Sequence, residues 1–116
     1  MNLERLENLV KDIYVDCNVD KFYKYYTESS LDHNCDKVRN NLEGMQLMPN
    51  RKGSTFDIID YKLDHIITSE DKISFQIITK HKDNSKTWWN VILKLDLDDK
   101  ITDTWWTANR QPLELP

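Results

Sequence analysis

Glycine is nearly absent from this sequence of 116 residues: only Gly44 and Gly53 occur. A glycine-rich loop that cradles phosphate with backbone amides therefore has nowhere to form. Proline is confined to Pro49 and to Pro112 and Pro116 in the tail, so nothing interrupts the β-prone runs of the second half. The two cysteines, Cys17 and Cys35, stand in unrelated contexts without metal spacing, and both are expected to be reduced in a cytoplasmic protein. Histidines at 33, 65 and 81 also lack ligand spacing, so no metal is expected. No basic block exists, and the net charge is −4 with both signs interspersed, which argues against a nucleic-acid partner. No apolar run is long enough for a membrane span or an export signal. No Ser or Cys is paired with a base, so nucleophilic catalysis has no support.

What is present divides into a helical half and an alternating half. Leu3, Leu6, Leu9, Val10, Ile13, Tyr14 and Cys17 form a helical stripe with Asn2 as its cap. A shorter stripe follows with Val19, Phe22, Tyr23 and Tyr26, and residues 30–34 form a short extended piece. Asp36 is placed to cap a third helix carrying Val38, Leu42 and Met45, which Pro49, Asn50 and Gly53 end. From Phe56 the pattern alternates. Ile59, Tyr61, Leu63, His65 and Ile67 share one face of a first strand, then Ile73, Phe75 and Ile77, then Trp89, Val91, Leu93, Leu95 and Leu97, and a fourth run spans 101–107. Helices followed by a long antiparallel meander give an α+β fold in a single domain, residues 1–116, with the helices on one sheet face.

All four tryptophans fall in two Thr-Trp-Trp units, at 87–89 and 104–106. In the first unit strand parity sends Trp89 inward with Val91 and Leu93 and Trp88 outward; in the second the parity does not separate Trp105 from Trp106. The outward face carries Ile58, Ile66, Ile78, Trp88 and Ile92 among Lys62, Lys80 and Lys94. Several apolar residues on one sheet face suggest a covered patch, and a homodimer through the sheet is expected. The plainer alternative is a monomer whose lysine stems cover the isoleucines. His65 shares the apolar parity, where an imidazole must find a partner or lose its charge, unless it sits at the wet rim.

The helix pair, the piece Leu31-Asp32-His33-Asn34 and the tail Lys100-Ile101-Thr102-Asp103-Thr104-Trp105 resemble the nuclear transport factor 2-like superfamily, in its SnoaL-like and ketosteroid-isomerase-like branch. The resemblance implies three helices closing a cone against a curved antiparallel sheet, with a pocket in its mouth. Phe22, Tyr26, Tyr61, Phe75 and Trp89 are the aromatic candidates to line it, with Trp105 and Asn109 from the tail; rings that simply fill the core are the bland alternative. Tyr14 stands where ketosteroid-isomerase-like enzymes keep a hydrogen-bond donor, and His33 matches the SnoaL-like pattern as a base. Asp32 or His65 would supply the second proton-transfer group. No cofactor is implied.

The sequence also departs from the family. Cys35 replaces a proline, Asp103 a glutamate and Asn109 an aspartate, while Val91 falls where a late-strand acid is expected. The epoxide-hydrolase branch needs a pocket arginine between two aspartates, but Arg5, Arg39, Arg51 and Arg110 are all assigned outside the strands. Two functions follow. One is a SnoaL-like protein that binds a small apolar or aromatic molecule, as a cofactor-independent isomerase, cyclase or dehydratase. The other is a non-catalytic dimeric binding or interaction module whose pocket its own side chains fill.

Overall fold

In a computed structural model, residues 1–34, 37–47, 54 and 57–111 are described. The first apolar stripe begins as α1 (Leu3–Leu9), whose cap Asn2 accepts a hydrogen bond from the Arg5 amide at 2.8 Å. It then widens into a π-helical stretch (Val10–Val15), where the Asp16 amide reaches back five residues to the Lys11 carbonyl at 2.9 Å. Such a turn carries an extra residue, rotating the side chains that follow it. Cys17, at φ 49, ends the helix.

A 3-10 turn (Val19–Lys21) leads into α2 (Phe22–Tyr25), a single turn. Helix was expected through Tyr26, but the chain becomes extended there and runs as β1 (Tyr26–Asp32), burying Tyr26, Ser30 and Asp32. The ammonium of Lys100 closes the helix by donating to the carbonyls of Tyr23 and Lys24, at 2.5 and 2.9 Å. Residues Arg39–Asn40 form β2, and α3 (Asn41–Leu47) starts where the Asn40 side chain accepts from the amides of Leu42, at 2.9 Å, and Glu43, at 3.3 Å. The third helix is thus capped by Asn40 and leaves Val38 exposed, because 39 and 40 are held in the sheet. The cap expected at Asp36, the stops at Pro49, Asn50 and Gly53, and Cys35 lie outside the described residues.

The meander follows as β3 (Ile58–Ser69), β4 (Lys72–His81), β5 (Lys86–Leu95) and β6 (Ile101–Gln111). The six strands are ordered β2-β1-β6-β5-β4-β3 in a curved, unclosed sheet, antiparallel throughout except for the parallel pair β1–β6. Leu6, Leu9, Val10 and Ile13 pack from the helices onto Phe75, Ile77, Val91 and Leu93 of the inner face, all nearly or fully buried. Each such side chain contributes about 1.5–3 kcal/mol by leaving water.

Two irregularities reassign faces. In β3, Asp64 pairs with Gln76 but Ile67 pairs with Ser74, so two residues, His65 and Ile66, stand against Phe75. His65 takes φ 51 in this bulge, and beyond it the parity reverses: Ile67 joins the outer face, and His65 is 73% exposed in its side chain. In β6, Lys94 pairs with Asp103 and Leu95 with Ile101, which inserts one residue before the second Thr-Trp-Trp unit.

Candidate functional site

The parallel pairing of β1 with β6 and the antiparallel pairing of β1 with β2 put Asp32 directly between Thr104 and Arg39. All three side chains reach one end of a cavity of about 150 Å³ enclosed by the sheet, the π-helical stretch and α3. Arg39 Nε lies 3.4 Å from Asp32 Oδ2. The Thr104 hydroxyl is 3.0 Å from Asn41 Oδ1 and 3.4 Å from Asp32 Oδ1. Its single proton goes to the nearer acceptor, so among the described residues the Asp32 carboxylate, 6% exposed, is held by long contacts. Gly44 lets the guanidinium pass over α3, since a Cβ there would sit 3.0 Å from Arg39 Nε. Among the described residues, the Nδ2 of buried Asn41 has no hydrogen-bond partner.

Tyr14 comes from the π-helical stretch and Tyr26 from the start of β1, and their phenols hydrogen-bond each other inside the cavity. Burial pushes both phenols well above the usual tyrosine range. The two phenols are coupled through their mutual hydrogen bond, and the negative charge of Asp32 raises both further. Two neutral phenols therefore stand near one carboxylate in a mostly apolar cavity.

The rest of the wall is apolar, made by Ile13, Met45, Trp89 and Trp106. Tyr14 meets Phe75 and Trp89 edge-on, with centroids 6.3 and 6.4 Å apart, and Trp89 contacts Trp106 at 5.9 Å. The Trp89 indole is fixed by donating to Thr79 Oγ1 at 3.1 Å, beside buried His81, whose Nε2 lies 2.8 Å from Thr87 Oγ1.

Of the residues singled out in the sequence, the cavity brings together Tyr14, Asp32, Tyr26 and Trp89. Phe22 stacks behind Tyr26 at 4.6 Å and Phe75 lies beneath Tyr14, both in the core behind the wall. Tyr61 lies on β3, 37% exposed and outside the cavity lining. His33 points away from the cavity, stacked on Trp105 at 4.7 Å with Nε2 2.8 Å from Asp103 Oδ1. Trp105 and Asn109 lie on the outer face, opposite Ile92 and Trp88, and Trp106 is the indole that faces inward. His65 also lies on the outer side, 3.9 Å from Asp64. Among the described residues no group of three or more His, Cys, Asp or Glu side chains converges as a metal site requires. No described helix is long and apolar enough to cross a membrane.

Sequence reasoning missed Arg39, Asn41 and Thr104. Arg39 was assigned outside the strands, yet it forms half of β2 and enters the cavity. Among the described residues Asp32 is the aspartate beside it in the lining, so these residues do not form the two-aspartate arrangement of the epoxide-hydrolase branch. A strand of two residues leaves no periodic signal in sequence, and its pairing is set by tertiary contact.

No protein-family model matches the sequence, and no curated protein matches it. Solved structures do. A candidate SnoaL-like polyketide cyclase from Jannaschia sp. CCS1 superposes with a TM-score of 0.71 at 8% identity, covering 92% of this chain and 84% of that one. A candidate isomerase of the SnoaL-like family from Agrobacterium tumefaciens str. C58 gives 0.59 at 7% identity, covering 83% and 91%. A de novo designed NTF2 fold protein, NT-9, gives 0.64 at 13% identity, covering 90% and 85%. The chain therefore has the nuclear transport factor 2-like fold, the α+β cone of the SnoaL-like structures. At such identities the likeness is one of fold, and a designed protein shares it, so function has to be argued from the cavity.

Proposed function

We propose that the chain binds a small, mostly apolar molecule with one polar head in its cone, and that Asp32 and Tyr14 act on it by acid–base chemistry. The observation that carries this is the convergence of one carboxylate and two hydrogen-bonded phenols on a single apolar cavity. A carboxylate held by long contacts retains lone pairs to accept a proton from carbon. A phenol kept neutral by burial can donate to an oxygen that gains charge as that proton leaves. The reaction class is proton abstraction beside a carbonyl, as in an isomerisation or dehydration, and it draws on side chains alone. A cavity of about 150 Å³ is the size that accepts benzene, so the ligand is one ring or its equivalent.

The second reading is a binding module without turnover. The Arg39 contact favours it, because a guanidinium 3.4 Å from Asp32 Oδ2 competes with a substrate proton for the carboxylate's lone pairs. Exchange of α-hydrogens of cyclohex-2-enone in D₂O, followed by NMR, separates the two. Catalysed exchange that falls by about 10² or more in Asp32→Asn and in Tyr14→Phe supports catalysis. Quenching of tryptophan fluorescence by the ketone without exchange supports the binding module. Neither signal from any one-ring ketone would sink both.

A further inference from the structure

The end of the cavity that holds Asp32 offers more hydrogen-bond donors than its own acceptors take up. Among the described residues, Arg39 meets Asp32 through Nε at 3.4 Å, a contact at the long limit of hydrogen bonding and not the paired grip of a bidentate guanidinium. A Cβ added to Gly44 would lie 3.0, 3.3 and 3.4 Å from Nε, Cζ and Nη2 of Arg39, so the guanidinium lies flat on α3 with Nε turned to Asp32. Its end-on edge, Nη1 and Nη2, is thereby left for another acceptor. Arg39 lines the cavity, yet its side chain is 40% exposed, which puts that edge at the mouth. Asn41 stands three residues before Gly44 on the same helical face. It is 9% exposed and its Oδ1 takes the Thr104 hydroxyl, while Nδ2 has no partner among the described residues.

We infer that the molecule bound in the cone is a one-ring organic carboxylate, its carboxylate gripped by the Nη edge of Arg39 and by Asn41 Nδ2 and its ring lying among Met45, Trp89 and Trp106. This rests on the reading of the cone as a binding site and adds the chemical class of the ligand. The unmatched groups at this end are all donors, and an ionised carboxylate is the head that only accepts. An amide or hydroxyl head would bring a further donor to a place already short of acceptors. The planar carboxylate also matches the end-on edge of a guanidinium, which holds it through two parallel bonds.

The ligand's charge also bears on Asp32. Arg39 and Asp32 are the charged residues of the described lining, so the cavity is balanced before the ligand enters. A second carboxylate divides one guanidinium between two anions, and each is held less firmly than it would be alone. The lone pairs of Asp32 are then freer to receive a proton from carbon, which removes the competition that Arg39 offers in the empty cavity. Two carboxylates on one cation also repel each other. Asn41 Nδ2, a neutral donor aimed at the ligand, offsets part of that repulsion without tightening the hold on Asp32.

Titration calorimetry of the full chain with benzoate and with benzamide, a neutral molecule of the same shape, tests the class. Benzoate is expected to bind about tenfold tighter, the margin of a charge-assisted bond over a neutral one. In nitrogen–proton correlation spectra benzoate should shift the indole N–H signals of Trp89 and Trp106 and leave those of Trp88 and Trp105, on the outer face, in place. Arg39→Gln should remove the preference for benzoate. Should that variant fail to fold, Gly44→Ala is read instead: it keeps every charge and favours the helix, but its Cβ displaces the guanidinium and should cut the preference severalfold. Equal affinities, or tighter binding of benzamide, overturn the inference, and so does a preference that survives both substitutions. If neither compound binds while cyclohex-2-enone does, the carboxylate class falls and the cone stands as a site for neutral ligands; if none of the three binds, the reading of the cone falls with it.

Discussion

Asp32 and His33 are neighbours in the chain and serve opposite sides of the sheet. The Asp32 carboxylate enters the cone beside Thr104, while the His33 imidazole lies flat on Trp105 within 2.8 Å of Asp103. This relationship separates their roles. His33→Gln should leave turnover or ligand binding in the cone unchanged and lower stability by about 1 kcal/mol, through the lost Asp103 contact and ring stacking. Urea midpoints compared with α-hydrogen exchange rates check it. A His33→Gln protein of normal stability and lost exchange would return the imidazole to the chemistry.

Two carboxylates set how the fold responds to acid. Asp12 is held below its ordinary value of 3.8 chiefly by the hydrogen bond from Tyr25, at 2.6 Å, with Lys21 adding a bond at 3.1 Å against the opposing effect of burial. Partial burial pushes Asp103 upward, but the hydrogen bonds from His33 and Thr102, with the nearby positive charge, outweigh it and leave it lowered. Because both folded values are depressed, the unfolded chain binds more protons near pH 3.8 than the folded one. Their stabilisation is complete above that pH and is lost as pH falls through the lower folded values. Tyr25, pushed up to about 12 by burial and by its bond to Asp12, stays protonated throughout this range. Tyr25→Phe should therefore cost about 1–3 kcal/mol at neutral pH and flatten the decline of the urea midpoint between neutral pH and pH 3. An acid limb as steep as in the wild type would count against Asp12 as a source of it.

Much of this fold could be read from side-chain period, and the failures have local causes. The meander and the assignment of Trp89 inward and Trp88 outward follow from strict alternation across β4 and β5, where no residue is inserted. Trp105 and Trp106 could not be separated because β6 carries an extra residue at 101–103. Tyr26 has the spacing of a helical stripe, yet pairing with Ile101 in β6 draws it into a strand, a contact 75 residues away that no local pattern encodes. The cone site was legible in Tyr14, Asp32, Tyr26 and Trp89. Arg39, Asn41 and Thr104 were hidden because they meet Asp32 only through pairing across three strands.

His65 is where alternation misled most directly, and it yields a substitution test that opposes simple strand propensity. An L residue in the left-handed region costs roughly 1–2 kcal/mol, a cost that glycine avoids while losing about 0.5–1 kcal/mol through greater freedom in the unfolded chain. At φ 51 with a side chain 73% exposed, His65 gives up little packing when replaced. His65→Gly should therefore raise stability by up to about 1 kcal/mol. His65→Val should lower it, since β-branching makes a positive φ still less accessible. Strand propensity alone predicts the reverse order, with valine the best residue and glycine among the worst. Urea midpoints for the two variants decide between the accounts. If valine proves the more stable, residue 65 is not left-handed in solution, the bulge is absent, and Ile67 returns to the inner face.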